Sequence, residues 1–188
     1  MKKSLGPRTM IYPLPVWCVG SYDKQGIPNL ATVAWGGICC SKPPCVTVSL
    51  RKATYTYGNI IERQAYTVNV PSAAFAAEAD YCGTATGRKE NKFHGSGLTP
   101  VRSDLVDAPY VGEFPVVLEC KVIHTYEIGL HTQFIGEILD VKVDEEKIAQ
   151  DGKPDILSVD PMIYATKAQQ YYRVGELIGQ AYSIGKKA

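Results

Sequence analysis

The eight residues Ser49-Leu50-Arg51-Lys52-Ala53-Thr54-Tyr55-Thr56 concentrate hydroxyls and two cations in one short stretch. That is chemistry suited to an anion. Just upstream, Cys45 to Leu50 has alternating character, and successive side chains of a strand face opposite ways. Val46, Val48 and Leu50 then share one face, while Thr47, Ser49 and Arg51 share the other. A helix is expected immediately afterwards, and the free N–H groups of a helix's first turn favour negative charge. Thr54 or Thr56 can cap that helix and lend a hydroxyl to a phosphate. Arg51 and Lys52 can add charge-assisted hydrogen bonds. The residues alone leave a second reading open, a strand–turn–helix with a solvated basic turn, because the segment is no formal phosphate motif.

The cysteines are the other candidate chemistry: Cys18, Cys39, Cys40, Cys45, Cys82 and Cys120. No C-x-x-C or other standard ligand spacing joins Cys39, Cys40 and Cys45, so no metal site is assigned. Buried free thiols behaving as small hydrophobes are expected, with an exposed redox-active thiol at Cys39 or Cys40 as the alternative. The sequence contains no G-x-S-x-G, H-E-x-x-H or Walker motif, and no catalytic side chain is assigned. Gly95 and Gly97 form G-x-G, but position 100 is Pro and no clear strand precedes it, which excludes a dinucleotide fingerprint.

The elements that must position these residues are mostly strands. Pro15–Tyr22 and Asn29–Trp35 read as a hairpin about the turn Asp23–Pro28. Gly36 to Pro44 reads as a loop, and Cys45–Leu50 as the third strand. Thr56–Arg63 suits a short helix, Gln64–Val70 a strand, and Ser72 caps a helix running to about Tyr81. Gly83–Pro100 reads as a surface loop. Pro115–His124 and His131–Val143 read as strands, with a bulge or bend at Gly136. Asp144–Gly152 reads as a charged helix or turn, and Asp160–Gly175 as a closing strand. One domain over residues 1–188 is expected, with an arm at 1–12 and a tail at 176–188. The content is 45% hydrophobic and 21% charged with net charge +1, which gives no nucleic-acid or anionic-membrane surface. No apolar run is long enough for a transmembrane helix or a signal core, so the cytoplasm is the expected compartment. Twelve tyrosines point to an oligomer contact or a planar ligand.

The order Asn29-Leu30-Ala31-Thr32-Val33-Ala34-Trp35, then Pro43-Pro44, then Ser49 to Thr56 resembles the FMN-binding split-barrel flavoproteins of the flavin reductase-like group, and within it the flavoredoxins. Lys92-Phe93, then Gly129, His131, Gly136 and Glu137, and finally Pro161-x-Ile163-Tyr164 with Tyr171-x-x-x-Gly175 extend the match over residues 13 to 175. Asn91 and Leu130 depart from it, each standing where the family pattern has Asp. The resemblance implies a mainly β (α+β) fold: an antiparallel split β-barrel with a few short helices, working as a homodimer. It implies bound FMN, with NADH or NADPH as a transient donor or a redox partner protein in its place. Asn29 would lie near the flavin, and the backbone of Thr32, Val33, Ala34 and Trp35 would meet the pyrimidine edge. The segment Ser49, Leu50, Arg51, Lys52, Thr54, Tyr55 and Thr56 would hold the phosphate, with Lys92 adding charge. Trp35 and Tyr164 would wall the ring, and His131 would sit beside it. The alternatives are a non-enzymatic electron carrier, and a barrel that has lost flavin or takes another ligand.

Overall fold

The computed structural model describes residues 1–186. After an exposed extended arm come β1 (Leu14–Pro15), β2 (Trp17–Tyr22), β3 (Pro28–Val33), β4 (Gly36–Ser41) and β5 (Pro44–Arg51). Then follow α1 (Tyr55–Arg63), β6 (Ala65–Val70), α2 (Ala76–Thr84), α3 (Lys92–Ser96) and two short strands, β7 (Pro100–Arg102) and β8 (Pro109–Val111). A long pair, β9 (Val116–Ile128) and β10 (His131–Val143), leads through α4 (Ile156–Val159) to β11 (Met162–Ala165) and β12 (Gln170–Arg173). Seven strands form one sheet in the order β3-β2-β6-β9-β10-β5-β4, every neighbouring pair antiparallel. A second sheet joins β1, β11 and β12, and a third joins β7 to β8.

The hairpin expected at the start is present, with Cys18 opposite Thr32 and Ser21 opposite Asn29. Its turn is closed by Asp23, whose carboxylate accepts from the N–H groups of Gln25 at 2.9 Å and Ile27 at 2.8 Å. Val19, Val46, Val48, Leu50, Ile60, Tyr66, Val68 and Phe134 form the principal core. A second cluster, including Val16, Cys18, Leu30, Ala79, Cys82, Phe93 and Met162, packs α2 and α3 against β2 and β3.

Several boundaries differ from the sequence reading. Gly36 to Ser41 is a strand, paired with β5, rather than a loop. A Cβ at Gly36 would lie 2.7 Å from the Trp17 ring and 2.8 Å from the Thr47 carbonyl, so the glycine that reads as a loop signal is what lets the strand close. Thr47 is buried beneath this added strand and donates to the Gly37 carbonyl at 3.2 Å, which breaks the expected polar face of β5. β9 continues to Ile128, leaving a tight connection in which Gly129 has φ +52°. The irregularity expected at Gly136 is present, and a Cβ there would meet the Tyr66 hydroxyl at 2.5 Å. The segment read as a surface loop carries α3, and α2 is entered through a 3-10 turn at Ala73–Phe75. The closing segment is two strands, β11 and β12, paired in a hairpin. Of the tail read at 176–188, Lys187 and Ala188 lie outside the described residues. Among the described residues no helix is long and apolar enough to cross a membrane.

Candidate functional site

Segments remote in sequence meet at one cleft. β5 ends at Arg51, directly opposite His131, the first residue of β10. Beside them the chain leaves β3 through Ala34 and Trp35, and the Trp35 carbonyl accepts from the Ser49 N–H at 2.8 Å. The Trp35 and His131 rings are parallel within 4°, with centroids 6.3 Å apart. Between these segments, the end of α2 and the β11–β12 hairpin lies a cavity of about 410 Å³. Its apolar lining includes Val16, Val33, Leu50 and Trp35, and the hydroxyl-bearing residues around it are Thr32, Ser49, Thr54, Thr84, Tyr164 and Tyr171.

Local structure explains how each group is aimed. Thr54 caps α1: its hydroxyl accepts from the Tyr57 N–H at 3.3 Å and donates to the Arg51 carbonyl at 2.8 Å. The first turn of α1 therefore starts beside Arg51. On the facing wall, α2 approaches β3 closely, and a Cβ at Gly83 would lie 3.2 Å from that of Thr32. The Thr32 hydroxyl donates to the Ala79 carbonyl and lies 3.4 Å from the Cys18 sulfur. Thr32 thus offers the cleft its backbone rather than its hydroxyl.

Arg51 and Asp80 bring one cation and one carboxylate to the cleft, beside the His131 imidazole. Asp80 is engaged, accepting from the Tyr171 hydroxyl at 2.8 Å. Burial, then that carboxylate, push the Tyr171 phenol above its ordinary range. Among the described residues, Arg51 makes no side-chain hydrogen bond or ion pair, so the positive charge of the cleft is uncommitted. The Tyr171 and Tyr164 rings pack within the β11–β12 hairpin at 5.6 Å, tilted by 40°, and the Tyr171–Asp80 bond ties that hairpin to α2 across the cavity.

Thr32, Val33, Ala34, Trp35, Ser49, Leu50, Arg51, Thr54, His131 and Tyr164 all line this cleft. Asn29, Lys52, Tyr55, Thr56 and Lys92 do not. Thr56 is buried and accepts from the Asn29 amide at 2.8 Å, because position 56 falls on the inward face of α1. Lys52 is drawn outward to Glu127 at 2.6 Å. Tyr55 donates to Asp23 at 2.8 Å and, with Asn29, lines a separate cavity of about 230 Å³. Lys92 is buried at the start of α3, and its ammonium donates to the Cys82 carbonyl at 2.7 Å. It caps the carbonyl end of α2, so its charge is spent there rather than on a phosphate. The two departures from the family pattern also lie off the cleft. Asn91 caps α3, accepting from the His94 N–H at 3.1 Å as an Asp would, and Leu130 is exposed at the β9–β10 tip.

The sequence reading missed Asp80, Gly83, Thr84, Gln169 and Tyr171, all of which line the cleft. The signals toward Tyr171 were the abundance of tyrosine and its place in the matched pattern Tyr171-x-x-x-Gly175. Nothing in the helical pattern of α2 marked Asp80.

The model of the flavin reductase like domain matches residues 9–173. The chain belongs to the flavin reductase-like family. It is similar to flavoredoxin of Desulfovibrio vulgaris (Miyazaki F), with 56% identity and a TM-score of 0.95 over 99% of this chain and 100% of that one. Flavoredoxin from Methanosarcina acetivorans is 32% identical, with a TM-score of 0.92 over 99% and 98% of the two chains. A split barrel domain protein from Shewanella frigidimarina NCIMB 400 is 25% identical, with a TM-score of 0.83 over 92% and 87%. The antiparallel sheet is accordingly the split barrel of the flavin reductase-like family.

Proposed function

We propose that this chain binds FMN in the cleft and passes electrons through it as an oxidoreductase. The observation that carries the reading is Arg51, an uncommitted cation set beside the first turn of α1 at one edge of an aromatic-walled cavity. The residues present fit the group. A volume of about 410 Å³ lies within the roughly 300–1,000 Å³ of cofactor-sized pockets. Arg51 and the Ser49 hydroxyl would hold the phosphate, joined by the free N–H groups of the α1 first turn that Thr54 caps. The backbone from Thr32 to Trp35 would face the polar edge of the ring, with Tyr164 as an apolar wall and His131 beside the ring edge, placed to hydrogen-bond it. The tie between Tyr171 and Asp80 would keep the hairpin closed against water. Bound FMN would supply the redox chemistry, which none of these side chains can.

Trp35 is 39% exposed, so the cleft has an open rim that a nicotinamide or a protein partner can reach. We assign NADH or NADPH as the donor. Rapid anaerobic mixing tests this: fast bleaching of the flavin by NADH or NADPH is expected, and bleaching only by a reduced protein partner would make the chain a carrier instead. Purified protein is expected to be yellow and to release FMN on denaturation. Colourless protein that does not take up added FMN would overturn the cofactor assignment itself.

A homodimer belongs to the same reading. Every residue from Ile123 to Leu130 is exposed along the far half of the β9–β10 hairpin, Ile123, Tyr126, Ile128 and Leu130 among them. β10 pairs with β5 on its other side, so the outer half of β9, beyond its pairing with β6, is an open sheet edge that a second copy would cover. The cytoplasm remains the compartment we assign.

A further inference from the structure

Three of the six cysteines fall on the β4–β5 hairpin at the edge of the large sheet. Cys40 and Cys45 are directly opposed in its ladder. Opposed residues of an antiparallel pair share a face, with Cα atoms about 4.5–5.5 Å apart, inside the roughly 4.4–6.8 Å that a disulfide spans. The register shifts between Ile38 and Cys40, which drops Cys39 out of the ladder and leaves it without an opposed partner. Cys40 is exposed and Cys45 is buried behind it. The Cys45 thiol donates to the Pro43 carbonyl at 3.4 Å, within the same hairpin turn. Cys18, Cys82 and Cys120 are buried, away from any dissolved oxidant. Among the described residues no cluster of ligands suits a metal ion.

We propose that Cys40 and Cys45 are a reversible thiol–disulfide exchange site that reacts with low-molecular-weight disulfides of the glutathione class. The Cys40 thiolate attacks one sulfur of the small disulfide. A mixed disulfide forms, the small disulfide's S–S bond breaks, and one thiolate leaves and takes up a proton. The Cys45 thiolate then attacks the Cys40 sulfur, forming the cross-strand bond and releasing the second small thiol. Two cysteine sulfurs are oxidised by two electrons, and one small disulfide is reduced to two thiols. Cys40 is the entry point because it is exposed. Cys45 resolves, because it already faces Cys40 across the ladder. Burial, then the neighbouring thiols, push the Cys45 thiol up, so the resolving step quickens with pH. The product staples β4, a sheet-edge strand, to β5.

The test uses the full chain with oxidised glutathione, followed by alkylation of remaining thiols, trypsin digestion and mass measurement of the fragment that carries Cys39, Cys40 and Cys45. The wild type is expected to lose two hydrogens there, and a small dithiol reductant should restore them. Cys39→Ser should form the same link, whereas Cys40→Ser should not; both replace exposed side chains, so the fold should survive. Ring closure should be about tenfold faster at pH 8 than at pH 7, following the thiolate fraction. A wild-type fragment that stops at stable glutathione adducts would overturn the proposal. So would a link that survives Cys40→Ser or vanishes with Cys39→Ser.

Discussion

Lys92 shows how burial decides what a charged residue can do. Its sequence context suggests a cofactor contact, but its ammonium sits in the protein interior against the Cys82 carbonyl. Burial, the largest cause, pulls its pKa down from the ordinary lysine value. The sign of the linkage follows. The folded chain releases this proton at a lower pH than the unfolded chain, so the unfolded state binds more protons in that window, and stability rises with pH there. Lys92→Met removes the group from both states. In urea unfolding from neutral pH to pH 10, the wild type should gain stability relative to Lys92→Met as pH rises; a constant difference would contradict the assignment. Which residues face the cleft was legible for Arg51 from its type and setting, and for His131 and Trp35 through the family resemblance. It was not legible for Thr56 and Asn29, a mutually hydrogen-bonded pair buried by the rotation of α1, because sequence spacing does not show which hydroxyl a helix turns inward.

At the scale of elements, most strands declared themselves. β10 alternates in burial as a half-buried strand does, and β2 and β3 were readable as short apolar runs either side of a turn. β4 was not, because Gly36-Gly37 and Pro43-Pro44 carry loop signals and its cysteines have no strong strand preference. Its identity depends on tertiary fit: the Gly36 position leaves no room for a side chain between the Trp17 ring and the Thr47 backbone. Gly36→Ala is expected to cost about 1–3 kcal/mol, the usual range for overpacking. Chemical denaturation measures it, and a neutral result would mean that β4 gives way easily. Since Trp35 immediately precedes β4, the same variant should also loosen flavin binding.

For the whole molecule, the split barrel brings β5, β10 and the β3–β4 junction to one edge, and the cleft exists only because these three converge. His131 stands at the tip of the β9–β10 hairpin, opposite Ile128, as well as in the cleft, so a second copy covering that tip would lie beside the site. Charging the arm tip with Ile128→Lys and Leu130→Lys should reduce the mass seen in analytical ultracentrifugation from two chains to one. A variant that sediments like the wild type would place the interface elsewhere. The family match made the barrel and the aromatic cleft readable in outline. The Asp80–Tyr171 closure was not, since it joins a helix and a hairpin 91 residues apart by a contact that neither segment shows alone.

The central claim is that Arg51 holds the phosphate of a flavin in this cleft. It is tested most directly by titrating the wild type and Arg51→Ala, stripped of ligand, with FMN and with riboflavin, which differ only by that phosphate. A hydrogen bond to a charged group contributes about 1.5–3 kcal/mol, so Arg51→Ala should weaken FMN about 10–100-fold and leave riboflavin nearly unchanged. Equal losses for both ligands, or none for FMN, would contradict the account.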